Sequence, residues 1–276
     1  MGGFGVATGS GQGVGRRVGG VLGFLALVLC APATARAGAW TLPEGTGQLI
    51  ETFYGWTGDG APWGGEKGVS QWRAGASTYF QYGVSNELTI FGETSLERYV
   101  LSRPESSSYT GLDYSALGMR HKLWSSGEWV LSGEATLFLP GAYSPSSPAQ
   151  AGNTGGAGEG RLLLGTNYAF GIVQGFVNLE GAYRIRSAGP PDEWHGDATI
   201  GLKLPWGAML LAQDFTTISQ PTKNRQFPAW RSSEVEVSLV SPVFWGWRLQ
   251  LGYFQSVMAF KTNTERGGLV AFWRDF

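Results

Sequence analysis

The chain has 276 residues, a formal net charge of −1, only 15% charged residues and two histidines. That length suffices for one large domain or two small ones, and the balanced charge leaves no basic face for nucleic acid. Its 44 glycines and 13% aromatics suit sheets better than helices.

In chain order, Arg16 and Arg17 precede an apolar run from Val18 to Ala31, and small residues follow to Ala35-Arg36-Ala37. This is the pattern of a secretory signal peptide over residues 1–37, cleaved ahead of Gly38. The apolar run, interrupted by glycines, is shorter than the roughly 20 residues of a helical span. Cys30, the single cysteine, lies within it, so the mature chain is expected to carry no thiol and no disulfide. Loss of Arg16, Arg17 and Arg36 leaves 17 basic against 21 acidic residues, a net of −4.

Past Trp40 the apolar residues recur at period 2, the mark of a sheet with two unlike faces. Twelve strands are expected at 46–57, 69–82, 86–101, 109–124, 127–139, 159–170, 173–187, 193–204, 206–219, 230–241, 246–261 and 267–276. Polar, glycine- and proline-rich stretches at 58–68, 102–108, 140–158, 188–192, 220–229 and 262–266 alternate with tight turns near 83–85, 125–126, 171–172, 205 and 242–245. Long loops on one side and short turns on the other predict an all-β, transmembrane, antiparallel up-and-down barrel spanning 38–276. Loop 140–158 is the expected partial lid.

Tryptophan marks the two ends of this barrel. Trp56, Trp72, Trp194 and Trp230 adjoin long loops, while Trp124, Trp129, Trp206, Trp245, Trp247 and Trp273 adjoin short turns or the terminus. Two aromatic rings are what two membrane–water interfaces select. The apolar face also contains Ala74, Ala76, Gly133, Ala135, Gly181 and Ala198, small residues suited to a surface that interdigitates with nothing. Outer-membrane lipid is therefore the expected partner of that face. The opposite face is expected to line a lumen and a solute path with Glu51, Arg73, Glu93, Glu97, Arg120, Glu180, Arg184, Arg186, Asp197, Glu234, Glu236 and Arg248, since charges of both signs are costly against hydrocarbon.

A barrel must pair its last strand with its first, because an open edge in a bilayer leaves backbone groups unpaired. The final strand, with Val270, Phe272 and the terminal Phe276, resembles the C-terminal signal by which bacterial outer-membrane barrels are recognised, which implies the barrel-assembly machinery as a partner. Arg274 departs from that pattern, and a local bulge at Trp273 is expected to compensate. The segments WTLPEGTGQLIET, GMRHKLW, RIRSAGPPDEW and LLAQDF resemble a group of proteobacterial outer-membrane β-barrel proteins, similar in layout to the transporter-like barrels of meta-pathway phenol degradation. The resemblance covers about Trp40 to Phe276 and implies passive uptake of small, often aromatic, molecules.

Chemistry-bearing motifs are sparse. GAPWGGEK at 60–67 imitates a phosphate loop, but Glu66 replaces the lysine and no helix follows. His121 has no Ser or Asp at a recognisable spacing. His195 and Asp197 share a face below a loop bearing Asp192 and Glu193, a pair that could activate water. The leading expectation is a narrow, passive, cofactor-free channel for small solutes, exported to the Gram-negative outer membrane. A closed structural barrel and a surface hydrolase centred on His195 are the alternatives.

Overall fold

The computed structural model describes residues 38–59, 70–102, 106–141, 155–187, 191–221 and 229–276. The signal peptide, the phosphate-loop imitation and most of the expected lid lie outside these residues.

Twelve antiparallel strands form one closed sheet: β1 Gly47–Asp59, β2 Ser70–Ser85, β3 Leu88–Leu101, β4 Ser107–Ser126, β5 Trp129–Pro140, β6 Ala157–Phe170, β7 Val173–Arg186, β8 Glu193–Lys203, β9 Met209–Ser219, β10 Arg231–Pro242, β11 Trp247–Phe260 and β12 Thr264–Asp275. Each strand pairs with its sequence neighbours, and β12 closes on β1. Among the described residues no helix is long and apolar enough to cross a membrane. Two connections differ from expectation. The turn after β8 spans Leu204–Ala208, with Trp206 at φ 64°, because Pro205 cannot supply a ladder N–H. The stretch 262–266 is no long loop, since β12 begins at Thr264.

The seam is regular from Gln48↔Asp275 to Asp59↔Thr264, so the bulge expected at Trp273 is absent. Trp273 instead points inward, 5% exposed, with its indole N–H donating to Gln250 Oε1 at 2.9 Å. Arg274 keeps the outward position and bonds the Trp245 carbonyl at the adjoining turn. Beyond the paired strands, Phe276 and Gly47 exchange backbone hydrogen bonds of 3.0 and 2.7 Å.

The pleat divides the wall as the period-2 pattern requires. Phe53, Leu117, Leu137, Leu162, Leu179, Ile200, Val237 and Leu251 stand exposed on the outer face. Their strand neighbours Ser95, Arg120, Ser132, Asn178 and Ser238 are buried inside. Hydrophobic residues exposed together on a closed sheet whose interior is polar invert the arrangement of a soluble barrel and match a lipid-facing wall. Trp72, Trp124, Trp129, Trp194, Trp206 and Trp245 are exposed, as an interfacial girdle requires. Trp56 and Trp273 are buried and belong to the interior, which corrects their assignment to that girdle.

The candidate functional site is the lumen

Four of the expected lining residues form a network across β6–β8, joined by β6 residues of the same face. Arg161 reaches Glu159 at 3.0 Å, Glu180 at 2.5 Å and Asp197. Arg184 meets Glu159 at 2.8 Å, and Arg186 grips both oxygens of Glu193 at 2.9 Å. The register explains the grouping: Glu159 opposes Arg184, Glu180 opposes Asp197, and Arg184 opposes Glu193 on adjoining strands. Arg120 pairs with Glu134 at 3.1 Å on β4 and β5, and Arg73 pairs with Glu97 at 3.2 Å on β2 and β3. Arg248 pairs with Asp275 near the short-turn end. Each charged group thus loses water yet gains a partner, the condition under which buried ions are tolerated.

A second sector is acidic. Glu234 and Glu236 on β10 and Glu265 on β12 share the inner face, with Glu236 held by Gln250 Nε2 at 3.1 Å. Glu93 stands on β3 between the positions of Tyr79 and Ala116.

Glu51 is placed elsewhere. It shares the outer face of Leu49 and Phe53, opposite Thr78 and Phe272, and its Oε2 accepts a 2.9 Å hydrogen bond from Thr78 Oγ1. The register of β1 is fixed by Gln48, whose amide pairs with Gln81 and Asp275, and by buried Trp56. Once those face inward, Glu51 faces out.

His195 does not form the expected dyad. Asp197 is engaged by Arg161, whereas His195 Nε2 lies 3.3 Å from Glu193 and Nδ1 lies 3.2 Å from the Thr217 hydroxyl. Glu193 is in turn committed to Arg186. Among the described residues no group of three His, Cys, Asp or Glu side chains is placed to hold a metal ion.

The segment before β1 lies inside the barrel, which the strand pattern could not indicate. Ala39 N–H donates to Asn178 Oδ1 at 2.9 Å, and its carbonyl accepts from Ser132 Oγ at 2.5 Å. Leu42 N–H donates to Thr89 Oγ1 at 2.8 Å, and the Trp40 carbonyl accepts from Arg120 at 3.3 Å. Trp40 packs between Val130 and Leu163 on one side and an apolar cluster of Phe176, Met209, Leu211, Val240 and Trp273 on the other. Gly165 makes room for it, since a Cβ there would stand 2.7 Å from the indole ring. Residues 38–43 therefore fill the lumen toward the short-turn end.

Above this layer an open cavity of about 260 Å³ remains against the inner wall of β2–β7. It is bounded by the Arg120, Arg161 and Arg184 pairs, by Glu93, and by the rings of Tyr79, Phe91, Tyr114 and Phe138.

No protein-family model matches the chain, and no curated protein matches it either. Among solved structures, it is similar to an outer membrane channel from Pseudomonas putida F1, at a TM-score of 0.70 and 14% identity, covering 87% of this chain and 98% of that one. It is also similar to the beta domain of a Bordetella autotransporter, at a TM-score of 0.51 and 11% identity, over 84% of this chain and 99% of that one. At such identities the likeness is one of fold. With the apolar outer wall, it defines an outer-membrane β-barrel of the Gram-negative type.

Proposed function

We propose that the protein is a narrow, passive diffusion channel for small solutes, aromatic ones among them, whose short-turn mouth is occupied by residues 38–43. The observation that carries this reading is the open cavity, bounded by paired ions, that remains above the apolar layer around Trp40. A barrel built only as a scaffold has no use for desolvated ion pairs, which at best break even against apolar packing. In a pore, side chains of both signs set charge preference and width. Arg161 and Arg186 hold Asp197 and Glu193, the carboxylates nearest His195, so the reading is that of a channel and not of a hydrolase.

Export by the signal peptide, with cleavage after Ala37, places Gly38 at the start of the lumenal segment. Assembly then proceeds through the barrel-assembly machinery, with the final strand ending at Phe276 as its recognition element. Arg73, Glu93, Glu97, Arg120, Glu180, Arg184, Arg186, Asp197, Glu234, Glu236 and Arg248 line the solute path.

The packing of Trp40 between two apolar clusters favours a second reading, a closed barrel without transport. Planar-bilayer recordings on the chain from Gly38, and on the same chain lacking 38–43, separate the two. Single-channel steps that enlarge in the shortened chain are the expected result. Silence in both establishes the closed barrel.

A further inference from the structure

We infer that the lumenal cavity is a binding site for a small organic cation, an ammonium carried on or near an aromatic ring, with Glu93 as its counter-ion. This deepens the channel reading by naming a solute class, and its test needs no conduction.

The charges around the cavity favour a cation. Every guanidinium bordering the cavity already has a carboxylate: Arg120 has Glu134, Arg161 has Glu159 and Glu180, and Arg184 has Glu159. Glu93, beside the Tyr114 hydroxyl, makes no ion pair with any described residue. An entering anion meets arginines already paired with carboxylates, together with Glu93, which has the Tyr114 hydroxyl as its hydrogen-bond partner and no ion pair of its own. An entering cation meets that carboxylate alone.

The walls favour an aromatic ammonium. Tyr79 and Phe91 are stacked with centroids 6.0 Å apart, and Tyr114 and Phe138 lie 6.0 Å apart at 55°. These ring faces already attract cations within the protein, as the Arg184 guanidinium sits over Phe138 at 4.0 Å. Aromatic faces with a nearby acid are the recurring chemistry of ammonium recognition. Size agrees, since an apolar cavity of roughly 150 Å³ accepts benzene. At about 260 Å³ this one has room for a ring and a short amine arm.

The test is calorimetric titration of the refolded chain in detergent micelles with 2-phenylethylammonium, benzoate and benzyl alcohol. The expected result is binding of the ammonium alone, competed by tetramethylammonium, with affinity falling about tenfold or more in Glu93→Gln, the scale of one lost charge contact. Benzoate binding as well as the ammonium, or no ammonium binding, overturns the inference. So does Glu93→Gln binding like the unaltered chain. If Glu93→Gln fails to fold, the unaltered protein still decides through the competition and the neutral benzyl alcohol. Ammonium binding in a barrel that never conducts leaves this site standing and removes the channel.

Discussion

Trp40 meets Phe176 edge to face inside the barrel, with ring centroids 5.8 Å apart and planes at 85°. Phe176 belongs to β7, whereas Trp40 precedes every strand, so this contact ties the leading segment to the far side of the lumen. The same ring covers Gly165 on β6.

Removing this contact should open the lumen. Trp40→Ala is expected to raise single-channel conductance and to lower unfolding stability by about 3 kcal/mol, in the range for large aromatic truncations. Gly165→Ala should act in the same direction without altering any lumenal charge, because its Cβ would crowd the indole at 2.7 Å and Ala39 Cβ at 3.0 Å. Planar-bilayer recordings paired with urea titrations in detergent measure both effects.

Arg161 holds three carboxylates, Glu159, Glu180 and Asp197, with its own side chain 13% exposed. Arg161→Ala should destabilise the barrel by roughly 3–5 kcal/mol, the cost of leaving buried charge uncompensated. Adding Glu180→Gln and Asp197→Asn should recover most of that loss. A double-mutant cycle on urea midpoints tests it, with a non-additive recovery as the expected outcome.

The outward carboxylate makes the opposite prediction. Glu51 faces the lipid side, where its carboxylate accepts a 2.9 Å hydrogen bond from the Thr78 hydroxyl, so Glu51→Leu with Thr78→Val should stabilise the barrel by about 1 kcal/mol in vesicles. Glu134→Leu on the inner face should instead destabilise it by about 3 kcal/mol, since Arg120 would lose its partner at 3.1 Å. Equilibrium unfolding from vesicles compares the two.

The strand count and the sidedness of the wall were legible because alternation is local: Leu137 and Thr136 declare opposite faces whatever their neighbours do. Strand ends were less so. Glu265 fell in a stretch whose polar composition reads as loop, yet it extends β12 by pairing with Gly58. Glu51 shows the limit of assigning faces by charge, since register is a property of the whole strand and one hydroxyl suffices to hold an exception. The position of Trp40 was illegible for a different reason. The side chains that hold its neighbours Ala39 and Leu42, namely Asn178, Ser132 and Thr89, come from three distant strands and converge only after the barrel closes. The cavity was half visible: Glu93, Arg120 and Arg184 stood out as charges, whereas Tyr79, Tyr114 and Phe138 carry no signal that tells a lumenal ring from a membrane-facing one.

Hydrocarbon meets the apolar face of the wall, and water meets the ionised one. Cys30 is the chain's single cysteine, so a chain starting at Gly38 carries no background thiol. Nitroxide labels on Leu137→Cys and, separately, Ser77→Cys in lipid vesicles, read by spin relaxation with dissolved oxygen and a water-soluble nickel chelate, test that claim directly. The label at 137 should respond to oxygen and be shielded from nickel, and the label at 77 should respond to nickel. The reverse pattern, nickel reaching 137 while 77 senses oxygen alone, would contradict it.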